Sequence, residues 1–239
     1  MNNLPVTQEP DSAKEWMNRP MAIPGCPPGL EYLTQLDKIK VKQLVSLVEA
    51  FTGFERNNKY ALRNANNEQF FYAFEETETC MRICCGNQRG FKFHVVDNLK
   101  QEVMMITREF KCCAGCCWCA GCCMCCAFEV RVEAPPGNLI GTIKQKGSFW
   151  KDSYDILDET ENVILKIEGP CCIWDGACCP CDNEFKLLTA DGLTQIGSLT
   201  KEYAGFVKEL FTVADQFSIS CKLTFSKVSS LALLKFGTL

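Results

Sequence analysis

Four times in this chain a short run of β-branched and aromatic residues meets a turn and then a second such run. Lys59–Arg63 and Gln69–Phe74 flank Asn64–Asn67, and Phe91–Val96 and Val103–Phe110 flank Asp97-Asn98. Tyr154–Leu157 and Val163–Ile167 flank Glu159–Asn162, and Phe185–Thr189 and Thr194–Leu199 flank Ala190-Asp191-Gly192. Repeated strand–turn–strand units restrict the chain to an antiparallel, mainly β body, most simply one barrel-like domain. No tandem repeat or linker divides the strands. Around them the reading is less regular. Residues 1–30 form a flexible arm that ends in Ile23-Pro-Gly-Cys-Pro-Pro-Gly29, too rich in proline and glycine for a helix or a continuous ladder. The recurrence of Leu44, Leu47, Val48 and Phe51 predicts a helix over 35–50, and Phe206, Leu210 and Phe211 predict a short one over 202–211.

Charge and motifs exclude more than they include. The net charge is −4 with a pI near 5.3. No basic stripe stands out, so no nucleic-acid surface is predicted. The lone histidine, His94, lies in Phe91-Lys-Phe-His-Val95, where alternation puts it on the Lys92 side as a surface strand residue. One histidine rules out an HExxH zinc site and leaves a His-based triad without support. There is no Walker A loop, GxGxxG or GxSxG, and no base in view to activate a cysteine nucleophile. The expectation is a protein that is not an enzyme.

Cysteine is the unusual component: nineteen residues, an odd number that argues against a fully paired disulfide framework. Met1 to Pro20 shows no signal-peptide apolar core, which predicts a reducing compartment. Nine cysteines fall in one uncharged stretch: Cys112, Cys113, Cys116, Cys117, Cys119, Cys122, Cys123, Cys125 and Cys126. Three uses compete. As acyl acceptors beside Trp118, Met124 and Phe128, they carry thioester-linked chains, of which two or more anchor a protein stably. Spacings such as Cys113-x-x-Cys116 and Cys119-x-x-Cys122 suit a metal, although dense cysteines produce them automatically. A membrane-spanning or buried segment of about 17 residues sits at the short edge of what crosses a bilayer. A second cluster offers Cys178-x-x-Cys181 with Cys171 or Cys172, a possible four-thiolate zinc site or a loop of buried or acylated thiols. Cys80 with Cys84-Cys85 forms a third, smaller group.

Several rare stretches occur in one order: Trp16-Met-Asn-Arg-Pro20, Ile23-Pro-Gly-Cys-Pro-Pro-Gly-Leu-Glu-Tyr-Leu33, Thr52-Gly-Phe-Glu-Arg-Asn-Asn-Lys-Tyr60 and Cys84-Cys-Gly86. Asp97-Asn98 with Gln101-Glu-Val103, the cysteine run leading to Ala134-Pro-Pro-Gly137, and Gly169-Pro-Cys171 continue the series. With these residues the chain resembles the phospholipid scramblases from about residue 14 to 219. The resemblance implies a tubby-like antiparallel β-barrel wrapped around an apolar C-terminal helix, with 31–225 as the barrel domain. It implies palmitoylation in the nine-cysteine run by an acyltransferase, and a lipid-anchored place on the cytoplasmic face of the plasma membrane. It implies calcium-dependent, ATP-independent, bidirectional movement of membrane phospholipids between leaflets. The alternative is a soluble thiolate-metal or protein-interaction module on the same barrel.

The chain departs from the family pattern twice. The stretch matching the family's calcium segment runs from Val213 to Thr224 and holds Asp215 as its one carboxylate. Calcium takes six to eight oxygen ligands, so tight binding is not expected there. In place of a long apolar helix stands an atypical segment, 226–239, expected to turn Val228–Phe236 inward as a short plug through Leu231, Leu233 and Leu234.

Overall fold

The computed structural model describes residues 16–44, 57–85, 88–113, 120, 126–148, 151–170, 183–202 and 216–221. Twelve strands form one closed antiparallel barrel: β1 (Lys38–Gln43), β2 (Lys59–Arg63), β3 (Gln69–Glu76), β4 (Phe91–Val96), β5 (Glu102–Arg108), β6 (Glu129–Glu133), β7 (Leu139–Lys146), β8 (Ser153–Leu157), β9 (Val163–Glu168), β10 (Asn183–Thr189), β11 (Gln195–Glu202) and β12 (Gln216–Cys221). Each strand pairs with its neighbours in sequence, and β1 closes the ring on β12 from Lys38↔Ser220 to Lys42↔Gln216. Closure removes the unpaired edges that an open sheet of this length would expose. This is the strand body expected of a tubby-like fold.

Every strand contributes to one buried apolar cluster. Ile39 and Val41 of β1, Phe93 and Val95 of β4, Ile167 of β9, Phe185 and Leu187 of β10 and Ile219 of β12 all lie in one buried cluster. A 3₁₀ turn, Leu30–Gln35, adds Tyr32 and Leu33, and Tyr32 packs on Phe70 and Phe71. Gly29 allows that turn to approach. Its φ is +90°, and a Cβ there would lie 2.2 Å from Cγ1 of Val103.

The eight strands read from sequence are present, two with the expected bounds and the others with ends moved by at most three residues. The helix predicted over 35–50 is corrected: Gln35 ends the 3₁₀ turn and Lys38–Gln43 is strand β1. In Lys-Ile-Lys-Val-Lys-Gln the apolar residues recur every second position and are β-branched, a strand pattern. The helical spacing used for the prediction begins only at Leu44, and 45–50 lies outside the described residues. Strands β6, β7 and β12 and a short helix α1, Thr79–Cys85, were not read from sequence. Glu202 ends β11, and 203–211, the rest of the second predicted helix, is outside the described residues. So is the segment 226–239 with its expected plug.

Strand alternation sorts the connections between two ends. At one end five connections of five residues each (64–68, 97–101, 134–138, 158–162 and 190–194) close hairpins. Each hairpin has a register shift beside its turn and a left-handed residue within it: Asn67, Lys100, Gly137, Glu161 or Gly192. This end carries Asp97, Asp158, Glu159, Glu161 and Asp191. The opposite end carries the connections 44–58, 77–90, 109–128, 147–152, 169–182 and 203–215.

Candidate functional site: the thiol-rich end of the barrel

Every cysteine except Cys26 and Cys221 falls in three connections, 77–90, 109–128 and 169–182, and all three leave and re-enter the barrel at the same end. The described ends of these three connections therefore lie at one end of the barrel, because β3, β5 and β9 all run toward it.

The necks of two of these connections are tied by charged side chains. Where 109–128 leaves the barrel, the Lys111 ammonium donates to the Ala127 carbonyl at 2.8 Å. Below it the Arg108 guanidinium lies 4.4 Å from the ring centre of Phe91 and 4.6 Å from that of Phe128. Arg108 Nε and one terminal nitrogen donate to the Arg89 carbonyl, at 3.2 and 2.9 Å. Burial, and then the nearby Arg89 charge, push the Arg108 pKa down to about 10. Arg89 itself pairs with the buried Glu75 at 3.1 Å, and Thr77 Oγ1 donates to the same carboxylate at 2.7 Å, which closes the neck of 77–90. One network thus fixes the base of both connections.

Of the nine candidate acyl acceptors, Cys112 and Cys113 are exposed, with sulfurs 3.6 Å apart, whereas Cys126 is buried. Cys116, Cys117, Cys119, Cys122, Cys123 and Cys125 lie outside the described residues, as do Cys171, Cys172, Cys178 and Cys181 of the possible thiolate site. On α1, Cys80 and Cys84 are exposed and Cys85 is half-buried. A hydrogen bond with Cys84 pushes the Cys80 thiol above its ordinary range. That lowers its thiolate fraction and slows unassisted attack on a thioester. The α1 thiols form a small group in sequence; their place at the same end of the barrel as Cys112 and Cys113 follows only from the strand directions.

The metal expectations are not carried by these residues. Among the described residues no group of three or more His, Cys, Asp or Glu side chains is gathered for an ion. Asp215 is outside the described residues, and 216–221 of the calcium-like segment is strand β12, paired on both edges. A loop that wraps six to eight oxygens around calcium is not formed by a strand paired in this way, so that segment does not fit the ion. His94 sits on the outer wall beside Lys92, as expected, but as a clasp. Its ring nitrogens lie 2.7 Å from Glu102 and 3.0 Å from Glu76, and it stacks on Phe74. No helix among the described residues is long and apolar enough to cross a membrane.

A closed all-antiparallel barrel whose three cysteine-bearing connections all start from one end defines the class. Comparison with known proteins then gives the family: the Scramblase family model matches residues 17–234, and the chain belongs to that family. It is 39% identical to phospholipid scramblase 1 of Rattus norvegicus over 208 residues, 87% of this chain and 59% of that protein. It is 37% identical to phospholipid scramblase 1 of Mus musculus, covering 93% of this chain and 66% of the relative. It is 33% identical to phospholipid scramblase family member 5 of Homo sapiens, covering 91% and 79%. The chain spans less than two thirds of the length of the two scramblase 1 relatives.

Proposed function

We propose that this protein is held on the cytoplasmic face of the plasma membrane by acyl chains at the thiol-rich end, and that there it mediates or regulates ATP-independent, bidirectional movement of phospholipids between leaflets. Family membership supports the lipid-moving part. The observation that carries the anchoring part is the convergence of all three cysteine-rich connections on one end, with Cys112 and Cys113 exposed there. Each buried methylene contributes about 0.8 kcal/mol of membrane affinity, and two or more chains make the attachment stable. An acyltransferase is the implied partner, membrane phospholipids are the substrate, and no bond-making chemistry is assigned to the barrel.

Calcium enters through the family likeness alone, and its expected segment offers one carboxylate. A calcium response in this chain therefore acts elsewhere than 213–224. Zinc on Cys171, Cys172, Cys178 and Cys181 belongs to the alternative of a soluble thiolate-metal module. The test is a lipid-flip assay in vesicles reconstituted with the protein, with and without calcium and without nucleotide. Faster exchange of labelled phospholipid than in protein-free vesicles is expected. Exchange no faster than in the empty vesicles overturns intrinsic movement, and near-stoichiometric zinc in a protein that does not pellet with membranes favours the module.

A further inference from the structure

Reading β1 as a strand lines up cations that a helical reading disperses. Ile39, Val41, Tyr60 and Leu62 point into the core. Strand alternation therefore turns Lys38, Lys40 and Lys42 of β1, and Lys59 and Arg63 of β2, to the outer wall. The register sets Lys40 directly opposite Arg63, an arrangement of like charges that costs stability in an antiparallel pair. On the other edge of β1 the partners are hydroxyls: Lys38 faces Ser220 and Lys40 faces Ser218. One strand further, Ser198 Oγ lies 3.2 Å from Ser220 Oγ.

Three lysines at and after β7 have carboxylates. Lys144 pairs with Glu161 at 3.7 Å, Lys146 with Asp155 at 3.1 Å, and Lys151 with Glu168. On β1 and β2 the pattern differs. Lys40 reaches the Ala65 carbonyl at 3.2 Å and Arg63 the Asn67 carbonyl at 3.4 Å, both uncharged acceptors. Lys38 and Lys59 have no side-chain hydrogen bond or ion pair among the described residues. In a chain of net charge −4, four cations on two adjacent strands keep their charge unneutralised and beside donor hydroxyls. Ammonium, guanidinium and hydroxyl groups together are the donor set that suits phosphate oxygens.

We propose that the outer wall of β12, β1 and β2 binds the phosphate headgroups of anionic phospholipids. The cations are spread along a strand of roughly 20 Å, at about 3.3 Å per residue, which suits a charged surface better than one small ion. The wall starts at the thiol-rich end, where Gln43 and Lys59 stand, and runs toward the short-turn end. This inference rests on the anchoring proposal for its setting: acyl chains at that end bring the near end of the wall, with Lys59, within about one Debye length, ~10 Å, of the bilayer.

The test uses the full chain with its thioesters removed by neutral hydroxylamine, so that anchoring plays no part. Flotation with phosphatidylcholine vesicles is compared with flotation with phosphatidylcholine–phosphatidylserine vesicles. Binding to the anionic vesicles alone is expected, and weakening in high salt. Neutralising Lys38, Lys40, Lys59 and Arg63 to glutamine lowers the partition coefficient by roughly fivefold per cation, while Lys144→Gln with Lys146→Gln leaves it unchanged. Lys40→Gln alone gives about one such step. It keeps the test readable if the fourfold variant misfolds, because removing one member of a like-charge pair does not lower the unfolding midpoint. Equal binding of wild type and variants, or no binding by the wild type, overturns the proposal. So does displacement by millimolar inorganic phosphate at constant ionic strength, or tighter binding to a DNA duplex than to the vesicles. Acylation is measured separately on the cell-derived protein. Its loss would refute the anchor without touching this result.

Discussion

Arg108→Ala removes the side chain that ties the thiol-bearing connections to the barrel. The residue is 3% exposed and stacked between Phe91 and Phe128, and donates twice to the Arg89 carbonyl. Each ring contact is worth about 0.5–2 kcal/mol, and hydrogen bonds from a charged group about 1.5–3 kcal/mol. Opposing these, burial penalises the charge, as the pKa near 10 shows, at about 1.4 kcal/mol per pKa unit. The alanine variant escapes that penalty but opens a cavity and leaves the Arg89 carbonyl without these donors, so a net loss of about 3 kcal/mol is expected. Arg108→Met keeps contact with both rings and loses mainly the hydrogen bonds, about 1–2 kcal/mol. At about 2–4 °C per kcal/mol for a domain of this size, the alanine variant melts roughly 6–12 °C below wild type and the methionine variant about half as far below. Thermal unfolding of the purified proteins measures both. Limited trypsin digestion adds a local readout, because cleavage after Lys111 should accelerate once the neck loosens. Wild-type melting in both variants, with unchanged cleavage at Lys111, would refute the view that Arg108 staples this end.

Gly197→Ala should destabilise by roughly 1–3 kcal/mol or more, since a Cβ there would sit 2.3 Å from the Ser220 carbonyl oxygen across β11 and β12; urea unfolding within 0.5 kcal/mol of wild type would contradict that register. Asp158 and Asp191 have pKa values lowered from 3.8 chiefly by hydrogen bonds from Thr160 and Thr189. A depressed carboxylate gives stability that is present above its unfolded value and lost as pH falls through the folded value. Asp158→Asn with Asp191→Asn should therefore flatten the decline of stability below about pH 4, and an unchanged acid limb in a pH series of melts would contradict the turn assignment. Cys84 shares the end that carries Cys112. Hydroxylamine-dependent thiol tagging should therefore mark the tryptic peptide 83–89 in membrane-derived protein, and a peptide already free to alkylate before hydroxylamine would show that α1 is not acylated.

The barrel was legible where each strand announced itself by alternation and a turn. Asn64–Asn67, Asp97-Asn98 and Ala190-Asp191-Gly192 mark hairpins that the structure closes with one repeated five-residue design. β1 was misread because Leu44 onward supplied a helical spacing that spread backward over Lys38–Gln43, and burying Ile39 and Val41 inside a closed ring prevailed over that local pattern. With the strand went the basic wall, for lysines at every second position share a face only on a strand. Strands β6 and β7 were hidden by the cysteine run and Ala134-Pro-Pro-Gly137, which drew the reading toward chemistry and turns. The cysteine groups were plain in sequence, but their convergence was not, because it depends on the direction of β3, β5 and β9. Arg108 and Glu75 carried no sequence signal; a charge becomes informative only when it is found buried.

The anchoring claim meets its most direct test in membranes isolated from cells that express the full chain. The membranes are washed in high salt and then treated with neutral hydroxylamine, and the exposed thiols are tagged and mapped. The account predicts that the protein stays in the pellet through the salt wash and is released by hydroxylamine. New tags should appear on Cys112 and Cys113, and changing the nine cysteines from Cys112 to Cys126 to serine should move it to the cytosol. A protein that remains membrane-bound after hydroxylamine, or as the nine-serine variant, would contradict an acyl anchor at this end of the barrel.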